Sequence, residues 1–139
     1  MGFTQPAISC HMINLETVKS ILEIAVNAPS GDNSQPWSFE FDNGELRIFN
    51  DPERDIPFYN YEQRGSYVAH GGLIENIKIC ASHFGYQADI VIFPHKDQPN
   101  LTAAIKFRDI SPFDDPLFSY IPKRASNRRP YKNIPLTVE

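Results

Sequence analysis

Trp37-Ser38-Phe39-Glu40-Phe41-Asp42-Asn43-Gly44-Glu45-Leu46-Arg47-Ile48-Phe49 is the stretch on which the fold turns. Trp37, Phe39 and Phe41 alternate with Ser38, Glu40 and Asp42, which makes one face of an extended segment aromatic and the other polar. Leu46 and Ile48 resume the alternation after Asn43-Gly44, a pair that tolerates the positive φ of a tight hairpin turn. The spacing predicts a β-hairpin over 37–49 with one face against a core.

Upstream, Leu15, Val18, Ile21, Leu22, Ala25 and Val26 recur at three- and four-residue steps, so an amphipathic helix is expected over 15–28. Asn14 is its N-cap, Glu16 sits in its first turn and Pro29 ends it. Between helix and hairpin lies a polar loop, Ser30-Gly31-Asp32-Asn33-Ser34-Gln35-Pro36, and Trp37 anchors its base in the core. Downstream, residues 50–60 hold Pro52 and Pro57 among charges and read as a surface connection. A long helix is expected from 61 or 62 to 84, stopped by Gly85 as a left-handed cap. The Gly71-Gly72 pair inside it costs about 1 kcal/mol per residue relative to Ala, which a close helix–helix crossing would explain. Strands at 88–93 and 101–107 follow. The order helix, hairpin, long helix, two strands predicts an α+β sandwich rather than a repeated βαβ unit.

With 139 residues, 41% of them apolar, the chain suits one domain with its own core. A net charge of −4 argues against nucleic acid or an anionic membrane and for a small-molecule partner. No stretch reaches the roughly 20 apolar residues of a membrane span, and the N-terminal residues carry no secretory pattern, so a cytoplasmic protein is expected. Cys10 and Cys80 read as free buried thiols. His11, His70, His83 and His95 fall in no pattern of paired ligands, and no metal is expected.

After Asp109 the composition changes. Residues 111–122 are rich in Pro and aromatics and show no period. They lead into Lys123-Arg124-Ala125-Ser126-Asn127-Arg128-Arg129-Pro130-Tyr131-Lys132, which holds five of the chain's 13 basic residues. Such a local reversal of charge in an acidic chain marks either an anion site or a solvated basic patch. Arg offers bidentate hydrogen bonds to phosphate oxygens, and alternate spacing puts Arg124, Ser126 and Arg128 on one side of an extended segment. The polar loop offers backbone and amide groups to a planar heterocycle, and equally reads as a plain helix-to-strand turn. Residues 135–139 read as the opening of another helix.

Taken together, the two segments resemble one family. Ala28-Pro29-Ser30-Gly31-Asp32-Asn33-Ser34-Gln35-Pro36-Trp37-Ser38-Phe39 looks like the flavin-covering loop of the flavin-dependent nitroreductases, and Arg124-x-Ser126-x-Arg128-x-x-Tyr131 resembles the family segment that holds the cofactor's phosphate and ribityl chain. Residues 67–86 resemble the long central helix of that family, through which two halves of a dimer pack. The resemblance implies a sandwich of an antiparallel sheet with helices packed on it. It implies flavin mononucleotide (FMN) as cofactor, NADH or NADPH as electron donor, and a nitroaromatic, quinone or related small molecule as acceptor. By the same resemblance Pro29, Ser30, Gly31, Asn33 and Gln35 line the flavin ring, while Arg124, Ser126 and Arg128 hold phosphate and ribityl oxygens; no acid, base or nucleophile is implied.

One departure is informative. In ordinary members the Arg-x-Ser-x-Arg segment precedes the loop, whereas here it follows. This order is similar to that of longer nitroreductase-like proteins in which two halves are fused. It implies a half-domain at 1–110 and, at 111–139, a connection and the start of a second half. On that reading the fold shown is incomplete, and the chain pairs with a second half or forms a homodimer. A flavin-binding protein without turnover, serving storage or sensing, and an inactive fragment are the alternatives.

Overall fold

Asn14 opens the first helix by accepting the Thr17 backbone N–H on its Oδ1 at 2.8 Å. Helix α1 (Leu15–Ala25) buries Val18, Ile21 and Ala25 on the face that the spacing marks. It ends at Ala25 rather than continuing through residue 28. Asn27 and Ala28 donate to the carbonyls of Ile24 and Ala25 at 3.2 and 3.0 Å, and the Asn27 side chain takes the Ile24 carbonyl at 2.9 Å. These bonds tighten the last turn, and Pro29 disfavours helical geometry in the residue before it. The structure, a computed structural model, describes residues 12–55, 58–127 and 129–130.

The hairpin forms as its alternation demands. Strands β1 (Trp37–Asp42) and β2 (Glu45–Asn50) pair antiparallel with Asp42 opposite Glu45. Asn43 and Gly44 take φ of 48° and 77°, the left-handed pair of a two-residue turn. The second helix, α2 (Arg64–His83), starts later than residue 61 or 62, because Glu62 and Gln63 are left-handed at φ 51° and 59° and cannot continue a right-handed helix. The buried Asn60 supplies the missing cap: its Oδ1 accepts the N–H groups of Gly65 and Ser66 at 2.9 and 3.2 Å. Gly85 ends the element at φ +83°.

Strands β3 (Tyr86–Ile92) and β4 (Leu101–Asp109) complete a four-stranded antiparallel sheet of order β1-β2-β4-β3. Register puts Ile48 and Ala103 in one row and Leu46 and Ile105 in the next. All four are fully buried and share a hydrophobic cluster with Ile21, Leu73 and Ile77 of the helices. The opposite face carries charge, with Arg47 and Lys106 paired to Glu40 and Glu45 at 3.6 and 3.7 Å and Arg108 paired to Asp89. The result is a two-layer α+β sandwich with helices on one side of the sheet.

Residues 110–123, aperiodic in sequence, fold back over the helix layer. Phe113 donates its N–H to the Ser82 carbonyl at 2.9 Å, Asp114 meets His83 Nδ1 at 2.6 Å, and Phe118 stacks on His83 with ring centroids 3.8 Å apart. A 3-10 turn at Phe118–Lys123 then buries Ile121 in the main core cluster. Its three-residue period and internal Pro122 hide it from an α-helical or strand pattern.

Candidate functional site

The loop after α1 is held by its own polar groups. Ser30 Oγ accepts the Gln35 N–H at 3.0 Å, Asn33 and Ser34 donate to the Ser30 and Gly31 carbonyls at 3.1 and 2.8 Å, and Arg54 Nη1 reaches the Gln35 carbonyl at 3.4 Å. Asp32, Asn33 and Gln35 stand at φ 46°, 60° and 48°. Asn and Asp bear that conformation more easily than Gln does, so the turn stores strain at Gln35 that the surrounding bonds must restrain. Gly31, Asp32 and Asn33 are exposed. The side-chain amides of Asn33 and Gln35 make no hydrogen bond among the described residues, and Ser34 Oγ is buried without a partner there. Ser30 therefore shapes the loop, while the groups free to meet a ligand are amides and backbone N–H.

The basic segment arrives beside this loop. Leaving the 3-10 turn in extended geometry, Arg124 donates its Nε to the Asn27 carbonyl at 2.8 Å and its Nη1 to Ser126 Oγ at 3.2 Å. A cation there complements the negative end of α1, and the other guanidinium N–H groups stay available. Arg124 and Ser126 thus share a side, as their alternate spacing predicts. Arg128 and Tyr131 lie outside the described residues, as do Cys10, His11 and the helix expected at 135–139.

Two depressions meet at Pro29. A groove of about 480 Å³ runs from Pro29 past Gly72 and Ile79 to Leu117, Ile121 and Arg124. Glu75 borders it too, with its charge partnered by Lys78 at 3.2 Å. A second depression of about 220 Å³ lies between Pro29, Ser30 and Gly31 of the loop and Gly65, Val68 and Ala69 of α2. The larger falls within the size range of small-molecule sites. The two segments singled out in the sequence therefore border the same groove within one chain, through Pro29 and Arg124.

The two glycines have different surroundings within the chain. A Cβ at Gly72 would meet Pro29 at an ordinary 3.6 Å, and one at Gly71 would meet nothing within 4 Å. Asn76, one turn beyond Gly72, donates its side-chain N–H to the carbonyl of Ala25, the last residue of α1, at 3.0 Å. Gly71 instead sits on an outer face of α2 with Val68, which is 77% exposed.

One buried residue that the spacing did not mark, His70, stands behind the loop. His70, 2% exposed, places Nε2 2.9 Å from the Pro36 carbonyl and Nδ1 2.9 Å from Thr102 Oγ1. Burial draws its imidazole below the ordinary pKa of 6.5, against the raising effect of the Pro36 hydrogen bond, so the ring is neutral at pH 7. Burial pushes the Cys80 thiol up to about 11, which leaves it an inert core residue.

No family model matches the chain. A protein of Mycobacterium tuberculosis (strain H37Rv) with the provisional name NAD(P)H nitroreductase is 30% identical over 133 residues, 94% of this chain and 38% of its own length. A second protein of that organism under the same provisional name is 27% identical over 103 residues, 74% of this chain and 30% of its own. These relatives support a nitroreductase-family protein. The chain thus spans 38% and 30% of their lengths. Solved nitroreductase structures share the fold of this chain. One from Desulfovibrio desulfuricans in complex with FMN superposes with a TM-score of 0.56 at 20% identity, covering 90% of this chain and 88% of that one. An FMN-dependent nitroreductase from Clostridium difficile gives a TM-score of 0.58 at 12% identity over 88% and 92% of the two chains. Among the described residues, no helix is long and apolar enough to cross a membrane.

Proposed function

We propose that the loop and the basic segment build part of an FMN site in an NAD(P)H-dependent reductase. Pro29, Ser30, Gly31, Asn33 and Gln35 face the isoalloxazine ring, and Arg124, Ser126 and Arg128 take the phosphate and ribityl oxygens. The observation that carries the reading is the bond from Arg124 Nε to the Asn27 carbonyl at 2.8 Å, which brings the cationic segment to the entrance of the loop. The donor set suits the group. Guanidinium N–H and the Ser126 hydroxyl match phosphate oxygens, and the amides of Asn33 and Gln35 match a ring with many acceptors and donors. The relatives' names and the two FMN-linked structures supply the cofactor and the electron donor.

FMN, when bound, supplies hydride chemistry between NADH or NADPH and a nitroaromatic, quinone or related acceptor. The chain's own work is to bind and orient. Arg124 fixes the phosphate end against α1, and the strained turn presents amide groups to the ring edge. The free face of α2 around Val68 and Gly71 is where a second half or a second copy packs. We assign residues 1–110 to the first half and 111–139 to the connection and the opening of the second. The motif order supports this division, as does the 38% share of the relative that the chain spans.

The test is an absorbance scan of the purified protein for a flavin band, followed by anaerobic addition of NADPH or NADH. The reductase reading expects a band that either nicotinamide bleaches, and that the double variant Arg124→Ala, Arg128→Ala loses while its far-ultraviolet circular dichroism is retained. A bound flavin inert to both nicotinamides would favour storage or sensing instead. A double variant that keeps the band would end the phosphate assignment.

A further inference from the structure

The β2–β4 ladder contains an irregularity: Ile48 pairs with Ala103 and Phe49 with Leu101, so Thr102 is passed over. A bulge of this kind re-aims a side chain. Here it sends Thr102 into the interior at 2% exposure, where Oγ1 lies 2.9 Å from the Ile48 carbonyl and 2.9 Å from His70 Nδ1. On the other side of the imidazole, Nε2 is 2.9 Å from the Pro36 carbonyl, and Trp37 packs edge-on to the ring at 6.0 Å. A polar strap therefore runs from the sheet through α2 to the last residue of the loop.

The protons of this strap can be counted. Carbonyl oxygens only accept, so Nε2 carries the hydrogen and donates to Pro36. The neutral ring's Nδ1 then accepts, and the single Thr102 hydroxyl proton serves either Nδ1 or the Ile48 carbonyl. Pro36 also receives the Asp51 N–H at 3.0 Å, which fills both lone pairs of its carbonyl. The loop is thus pinned one residue after Gln35, the residue whose left-handed φ of 48° needs restraint.

We infer that His70 is a positioning residue of the flavin loop, fixing through its Nε2–H the Pro36 carbonyl and thereby the placement of Asn33 and Gln35. The inference rests on the FMN reading above and adds to it a buried group that touches no ligand. Truncation of His70 frees the loop to leave its strained turn, while the core cluster of Leu73, Ile77, Leu46 and Ile105 stays intact. Gln at this position reaches Pro36 with an amide N–H, whereas Leu fills the volume without a donor.

The experiment is an FMN titration of the full chain, read by quenching of flavin fluorescence and by emission of the chain's single tryptophan, Trp37, with a thermal melt of each variant alongside. His70→Leu is expected to weaken FMN about tenfold or more, His70→Gln to stay within about threefold of the wild type, and Thr102→Val, which removes only the hydroxyl, to fall between them. Equal melting temperatures for the Leu and Gln variants, with different dissociation constants, separate positioning from core filling. Binding by His70→Leu within about twofold of the wild type would overturn the inference, and so would a Gln variant no better than Leu. A wild-type chain that fails to quench FMN while Trp37 emission still responds to His70→Leu would end the flavin reading itself, and the inference with it.

Discussion

Arg124 and His70 tie the candidate site to the fold from opposite sides, one on the surface and one in the interior. Arg124 was legible in the sequence because a cation within an acidic chain stands out, and its partner Ser126 lies two positions away. His70 was not, because the groups it serves, Pro36 and Thr102, are 34 and 32 residues distant. Nothing in the spacing of the chain's histidines signals a single ring bonded to a loop carbonyl and a bulge hydroxyl. Its environment has a consequence for stability. Burial lowers the His70 pKa in the folded state, so the unfolded chain binds the more protons in acid. Its neutral burial costs nothing in proton uptake above about pH 6.5, the unfolded value, and stability is lost as the pH falls from there through the folded pKa. Denaturant midpoints measured between pH 7.5 and 5 should therefore fall with acidity in the wild type and fall less in His70→Gln. Parallel slopes for the two proteins would show that His70 does not contribute to the acid sensitivity.

Among the elements, those with a strong period were the readable ones. The alternation around Asn43-Gly44 fixes the hairpin and its register, because a one-residue slip would turn Leu46 and Ile48 outward. The helix boundaries were less legible. Glu62 and Gln63 break the start of α2 by backbone conformation, and Asn60, whose capping bonds reach Gly65 and Ser66, leaves no capping-box pattern. The 3-10 turn that delivers Arg124 was hidden by its short period. The glycines offer a direct check on this level of the account. Gly85→Ala forces an L-residue to φ +83° and puts its Cβ 3.3 Å from Pro112 and 3.4 Å from the Ile110 carbonyl, so a loss of about 1–2 kcal/mol is expected in urea unfolding. Gly71→Ala meets nothing within 4 Å and should raise stability by about 1 kcal/mol through helix propensity. A destabilising Gly71→Ala would show that another backbone closes on that face in solution, which sedimentation of the same variant would then register as altered association.

At the scale of the whole molecule, the fold brings a loop near residue 30 and a cationic segment near residue 124 to one groove despite their separation. Both helices pack on one side of the sheet, the chain after β4 folds back over them, and Pro29 and Arg124 come to border the same groove. The family relationship was readable from the twelve residues of the loop together with the arginine segment. The joining of the two within one chain was not, because it depends on the path of residues 110–123. The central claim is that both segments grip a single nucleotide, and hydrogen exchange of backbone amides during FMN titration tests it most directly. The account predicts slowed exchange at residues 30–35 and at 124–127 together, with one shared midpoint. Protection confined to one segment, or two separate midpoints, would contradict it.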